Sequence, residues 1–376
     1  MTTLRTARGF TLIELMVALA LSAIVIGAGF ALFVTSNRVY TSSGQVSRIQ
    51  QTARAALDLM AAEIKMAGFG TIAQNRVTDA ANPGRETGFT TGTVNAGFDS
   101  NASDAIQFKS SGGAMALVAS DVSLVTLSNG NASVALKPST GRDMLRANMD
   151  VAIFDLSRRR VGAGKLGAVT DSAAVVSIWS TDPEYQASDF VDEGALLIQK
   201  PMYVTYQNWG DRLARCTRKD VDGGARGCDV NFLNNPRTEA DPDPDTFYYI
   251  AEGVKDLQFS YLLDMPLAEL QTLFGCSDLT EASFVPTPNC RPDFTSVANV
   301  LTRIKAVKIE ILVQTEGIDP TISAADCNAD RIKKTYYLGD HPVGYVVSDT
   351  QECRKDHVLM STIVYMPNMF AYRAEI

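Results

Sequence analysis

Gly9-Phe10-Thr11-Leu12-Ile13-Glu14-Leu15-Met16-Val17-Ala18-Leu19-Ala20 opens the longest apolar run in the chain, and no charged side chain follows Glu14 until Arg38. At about 1.5 Å per helical residue, the segment from Leu15 to Val34 spans roughly 30 Å, the thickness of one hydrocarbon core. The sequence predicts a helix that crosses a membrane between residues 10 and 35. A secretory signal peptide is a poorer match, because its apolar region holds only about 7–15 residues and ends at a small-residue cleavage site. Here Ala18-Leu19-Ala20 lies inside the run, with no polar boundary behind it.

Glu14 admits two readings. Thr11-x-x-Glu14 fits a capping box, in which the carboxylate satisfies orphan amides at a helix start. Alternatively, Glu14 is a charge within the membrane that awaits a partner. Such a carboxylate costs about 2.5–3.5 kcal/mol on insertion scales and usually marks a functional contact. Composition alone leaves both readings open.

The apolar character does not stop at residue 35. Val46, Ile49, Ala53, Leu57, Met60 and Ile64 recur at three- and four-residue steps, an amphipathic stripe that Gly68-Phe69-Gly70 ends. Phe10 to Ala67 makes one helix of about 58 residues and roughly 87 Å, whose outer half lays its stripe on whatever follows. Gly27-Ala28-Gly29 interrupts the apolar part. It reads either as a point where the helix loosens or as small residues for close helix packing.

Beyond Gly70 the pattern shortens to strands. Residues 71–102 are rich in Thr, Asn, Gly and Ala and read as loop. Ala105–Lys109, Val122–Leu127 and Val151–Asp155 are strand candidates. Met202–Gln207, the turn Asn208–Asp211 and Leu213–Thr217 form a hairpin candidate. Leu257, Phe259 and Tyr261 alternate with Gln258 and Ser260, and Val307, Ile309, Ile311 and Val313 share one face with Lys308 and Glu310 on the other. Pro266 to Phe274, with Gly275 behind it, is a short helix. The fold class is α+β: a long N-terminal helix packed on a mostly antiparallel β head. The division is a leader over 1–9, the helix over 10–68 and the head over 69–376. A split of the head into two lobes near residues 180–200 stays open.

The formal net charge of −8 over 376 residues supplies no basic field of the kind nucleic-acid binding uses. Arg158-Arg159-Arg160 reads as edge charge on a strand. All six cysteines fall between Cys216 and Cys353, without a Cys-x-x-Cys pair and with His341 and His357 the only histidines. They read as disulfides made in an oxidising compartment rather than as a zinc site. Local closure favours Cys216–Cys228, Cys276–Cys290 and Cys327–Cys353.

Asp241-Pro-Asp243-Pro-Asp245 places three carboxylates at alternate positions, with Glu252 where a calcium loop's last ligand would stand. Thr246 holds the glycine position and two prolines stiffen the loop, so a solvated acidic turn is the better reading. No cofactor is implied. There is no His-Glu-x-x-His run, no phosphate-cradling Gly-x-x-x-x-Gly-Lys loop and no Gly-x-Ser-x-Gly elbow, and the expectation is a non-enzymatic protein.

The residues from Gly9 to Glu14, behind a short leader carrying Arg5 and Arg8, resemble the type IV prepilin processing motif. The resemblance implies cleavage between Gly9 and Phe10 by a membrane peptidase and N-methylation of the new Phe10 terminus. It further implies that Glu14 pairs with the terminal amine of a neighbouring subunit.

In the head, four stretches are similar to PilW-type minor pilins. They are Ser103–Phe108, Met202–Tyr206 with Leu213–Arg215, Ala251–Phe259, and Arg303–Val313. That family often closes on an Arg-Asn pair, whereas this chain reads Val364-Tyr-Met-Pro-Asn368.

The resemblance implies a minor pilin that helps to initiate or cap a type IV pilus, with roles in adhesion and twitching motility. Its partners would be major and minor pilins, the prepilin peptidase, the inner-membrane assembly platform and a tip adhesin. Arg5 and Arg8 favour a cytoplasmic N-terminus, Arg38, Arg48 and Arg54 flank the far side, and the cysteines put the head in the periplasm until assembly carries it outside. A J-like pseudopilin of type II secretion is the nearest alternative. A DNA-uptake pilin and an anchored periplasmic enzyme are more distant ones.

Overall fold

The computed structural model describes residues 11–67, 103–110, 115–117, 126–127, 131–135, 145, 147, 149–155, 160–169, 173–179, 196–199, 202–218, 246–285, 287, 290, 304–320, 322–328, 335–339, 345–347 and 349–366. Helix α1 runs without a break over Leu12–Lys65, 54 residues. It ends two residues before the expected Ala67, with Met66 as C-cap.

The head is α+β, and every strand pairing among the described residues is antiparallel. In chain order the first strands are β1 (Ala105–Ser110), β2 (Met115–Leu117), β3 (Thr126–Leu127), β4 (Asn131–Ala135), β5 (Asp150–Asp155), β6 (Arg160–Val169), β7 (Ala173–Trp179) and β8 (Leu196–Gln199). Next are β9 (Met202–Trp209), β10 (Arg212–Arg218), β11 (Thr246–Glu252), β12 (Val254–Leu263), helix α2 (Leu267–Phe274) and β13 (Phe284–Val285). The chain closes with β14 (Ile304–Gln314), α3 (Ala324–Asn328), β15 (Thr335–Tyr336), β16 (Tyr345–Val346), α4 (Thr350–Cys353) and β17 (His357–Tyr365).

Two four-stranded sheets carry the core, in the orders β1-β9-β10-β11 and β13-β12-β14-β17. Strands β1 and β9 pair along their length, from Ala105 opposite Gln207 to Ser110 opposite Met202. A seven-stranded sheet, β2-β8-β5-β6-β7-β4-β3, is therefore inserted between two neighbouring strands of the first sheet. Of the expected strand Val122–Leu127, only Thr126 and Leu127 are strand, and the rest lies outside the described residues.

The expected hairpin forms with a tighter turn than Asn208–Asp211. Trp209 pairs with Arg212, so only Gly210 and Asp211 make the reversal. Gly210 has φ +66°, the left-handed geometry such two-residue turns require. Gly253 joins the two core sheets through one residue at φ +73°, and a Cβ there would stand 2.5 Å from the Gln314 carbonyl oxygen. Its own carbonyl accepts from Gln314 N at 2.8 Å. Only glycine fits both the angle and the approach.

Val307, Ile309, Ile311 and Val313 turn one face into the core, as their alternation requires. The opposite face is not open. Glu310 is buried and accepts from Gly339 N at 2.9 Å while meeting Lys308 at 2.9 Å. Gln258 and Ser260 are buried as well, and Gly339 lies directly against the Gln258 side chain. Strand alternation marks faces, not what later segments lay over them.

Helix α2 has Pro266 as its N-cap and Gly275, in the left-handed region, as its C-cap, at the expected limits. Cys276–Cys290 and Cys327–Cys353 are disulfides, the second joining α3 to α4. Cys216 is also disulfide-bonded, and its expected partner Cys228 lies outside the described residues. Cys276 and Cys290 are both buried and 14 residues apart. Replacing both by alanine should lower stability by about 2–4 kcal/mol in the chain-entropy account. A denaturation midpoint equal to that of the parent would contradict it.

Candidate functional site

The site begins at the start of α1. Thr11 is its N-cap in extended geometry, and both halves of a capping box are present. Thr11 N and Oγ1 each donate to Glu14 Oε2 at 2.9 Å, and Glu14 N donates back to Thr11 Oγ1 at 3.3 Å. In the single chain, then, the carboxylate is held by its own helix end. Gly9 and Phe10 lie outside the described residues, as do Asp241, Asp243 and Asp245. Among the described residues, no group of three or more His, Cys, Asp or Glu side chains could hold a metal ion.

From Thr11 to Thr41 every residue of α1 is exposed except the half-buried Val34. Leu12, Ile13, Leu19, Ile24, Phe30 and Phe33 all face outward. Helix α1 is the one described helix long and apolar enough to cross a membrane. A globular chain does not leave such a surface in water, so lipid or other protein must cover it. A Cβ on Gly27 or Gly29 would meet no atom within 4 Å, so nothing among the described residues uses the small residues there.

The outer half behaves oppositely. Ala53, Ala56, Leu57, Met60 and Ile64 are buried in the core of the two sheets, and Ile49 packs against it half-buried. This is the expected stripe from Ile49 onward, while its first residue, Val46, is half-buried outside that core. Each fully buried Leu, Met or Ile contributes about 1.5–3 kcal/mol.

Polar contacts stand at both ends of this seat. At the near end, Ser42 Oγ donates to Asp356 Oδ2 at 3.2 Å, and the Gln45 amide lies against Gly317. At the far end, Arg215 grips Glu63 through Nε, at 2.9 and 3.1 Å, and Nη2, at 2.7 Å. Tyr206, fully buried, donates its hydroxyl to the same carboxylate. Burial, then the adjacent Glu63 charge, pushes the Tyr206 phenol well above its ordinary value. Burial alone would lower the Arg215 guanidinium, but the hydrogen bonds and charge of Glu63 raise it.

Removing one partner from this group strands another charge. Arg215→Ala should destabilise the protein by about 2–3 kcal/mol, the worth of charge-assisted hydrogen bonds left unmade. Thermal unfolding at the parental temperature would refute that.

Stretches singled out in the sequence meet here. Asp104 Oδ2 accepts from Phe259 N at 2.9 Å, Ser103 Oγ donates to Asp256 Oδ1 at 3.0 Å, and Tyr206 stands opposite Arg215 across β9 and β10. Glu63 was not singled out. Its signal is a lone acid among Met60, Ala61 and Ile64 on the buried half of the helix, which a hydrophobic stripe passes over.

The sequence profile described as the prokaryotic N-terminal methylation motif matches residues 4–30. No curated protein sequence matches the chain. Among solved structures, a type IV-like pilin from Thermus thermophilus is similar at 8% identity, covering 60% of this chain and 85% of that one, with a TM-score of 0.21.

Proposed function

We propose that this chain is a type IV pilin-class subunit, and within that class a minor pilin that helps to initiate or cap a pilus. One observation carries the class: a methylation motif opens a helix whose first thirty or so residues find no cover among the described residues. Its last turns are bound into a folded head. That division describes a subunit stored in a membrane by its bare half and later packed against other subunits through the same surface.

The roles follow from position. Cleavage falls between Gly9 and Phe10, Phe10 becomes the methylated terminus, and Glu14 neutralises the amine of an adjacent subunit. An amine and a carboxylate are each expensive in lipid, and pairing offsets that cost when neighbours stand in the right stagger. Before assembly, the capping box supplies Glu14 with an internal partner, so the two readings of Glu14 describe two states of one group.

The head, with its disulfides, belongs to the periplasmic side, and the PilW-like stretches favour the minor-pilin reading. Partners are other pilins, the prepilin peptidase and the assembly platform, with a tip adhesin for a capping subunit. Mass spectrometry of the mature N-terminus tests the class: a methylated phenylalanine at residue 10 is expected, and a retained leader would defeat it. Complementation of a deletion strain separates a pilus subunit, which restores pili, from a type II secretion pseudopilin, which restores secretion.

A further inference from the structure

The buried stripe of α1 sets which face of the helix meets the head, but it says little about axial position. Slide the helix by four residues, about one turn or 6 Å. The sites of Ala53, Leu57, Met60 and Ile64 would then receive Ile49, Ala53, Ala56 and Met60. All are apolar. The stripe distinguishes these placements by side-chain volume alone, which well-packed cores read but repacking tolerates.

The geometry points to a register lock: Glu63 on α1, gripped by Arg215 of β10 and Tyr206 of β9, selects the one axial position at which all three groups are satisfied. Arg215 reaches both carboxylate oxygens and Tyr206 donates to one of them. The side chains of Arg215 and Glu63 keep only 18% and 24% of their surface in contact with solvent, so water replaces a lost partner only in part. A slip by one turn puts Leu59 opposite Arg215 and leaves its part-buried charge unmatched. A single polar position that fixes the register of an otherwise apolar helix seam is the best-attested use of such groups. Because α1 is one uninterrupted helix from Leu12 to Lys65, fixing Glu63 against the head also fixes how far Glu14 stands from it.

The test reads axial position inside one chain, so its outcome does not depend on what the protein assembles into. Full-length protein in detergent carries either Ser42→Cys with Asp356→Cys or Arg38→Cys with Asp356→Cys, and is treated with a short bis-thiol cross-linker. In the parent background the 42–356 pair should link, since Ser42 Oγ and Asp356 Oδ2 are 3.2 Å apart. The 38–356 pair should not.

Moving the carboxylate one turn, by Glu63→Leu with Leu59→Glu, should transfer the cross-link to 38–356, because the helix follows its acid to Arg215. Leu59 is partly exposed, so it accepts the change. A cross-link that stays at 42–356, or loss of folding, would show that packing sets the register and would overturn the lock.

A second variant removes the lock without stranding a charge: Glu63→Leu, Arg215→Met and Tyr206→Phe together. It should keep its thermal midpoint while cross-linking at both pairs. Linking at 42–356 alone would equally overturn the assignment.

Discussion

Cells expressing the Gly9→Trp chain should contain only the uncut precursor, held in the inner membrane and absent from filaments. A peptidase must bring its catalytic groups against the backbone between residues 9 and 10, and glycine alone presents that bond with no side chain. Tryptophan there blocks the approach, and a processed fraction near zero is the expected result. The intact mass of the membrane protein measures it directly. Normal removal of residues 1–9 from the variant would refute the cleavage assignment.

The second large effect belongs to Glu14. The Glu14→Ala chain should be cut and methylated as usual yet enter filaments poorly. With the carboxylate gone, a neighbouring amine stays uncompensated in the apolar bundle, at about 2.5–3.5 kcal/mol. That amounts to roughly a hundredfold loss of incorporation, at about 1.4 kcal/mol per factor of ten. Glu14→Gln separates charge pairing from capping, since an amide can still accept from Thr11 but carries no charge.

If capping were the whole role, Thr11→Ala would match Glu14→Ala in effect, at a cost of only about 0.5–2 kcal/mol, and Glu14→Gln would assemble normally. Charge pairing instead requires Gln to fail with Ala, while Thr11→Ala assembles nearly as well as the parent. Filament-associated protein measured against total membrane protein distinguishes the two.

The lock and the N-terminal charge bear on one another. Glu14 and Glu63 sit near opposite ends of the same unbroken helix. A subunit whose helix had slipped against its head could place Glu14 correctly and its head a turn out of line, or the reverse. Two acids, one exposed at the helix start and one clasped at its end, thus bracket the geometry that assembly would have to reproduce.

Much of the first 67 residues was legible because its determinants are local. The apolar run, the Thr11–Glu14 cap and the stripe through Ala53, Leu57, Met60 and Ile64 need only helical periodicity to be read, and the helix carries all three. Helix α2, the β9–β10 hairpin and the alternation of β14 were readable for the same reason, each being set by its own residues. Two of the neighbour disulfides also followed from short loops.

Other features depended on residues far apart in the chain. The insertion of a seven-stranded sheet between β1 and β9 is set by pairing residues 105–110 with 202–207, which no local pattern announces. The burial of Glu310 arises from Gly339, and the clasp on Glu63 joins residues 152 and 143 positions away. Sequence determined the helix, its membrane-length apolar half and its methylation signal, since periodicity and hydrophobicity act within a few turns. Tertiary structure decided where that helix stops sliding, because an ion pair exists only when the fold brings its two halves within about 3 Å.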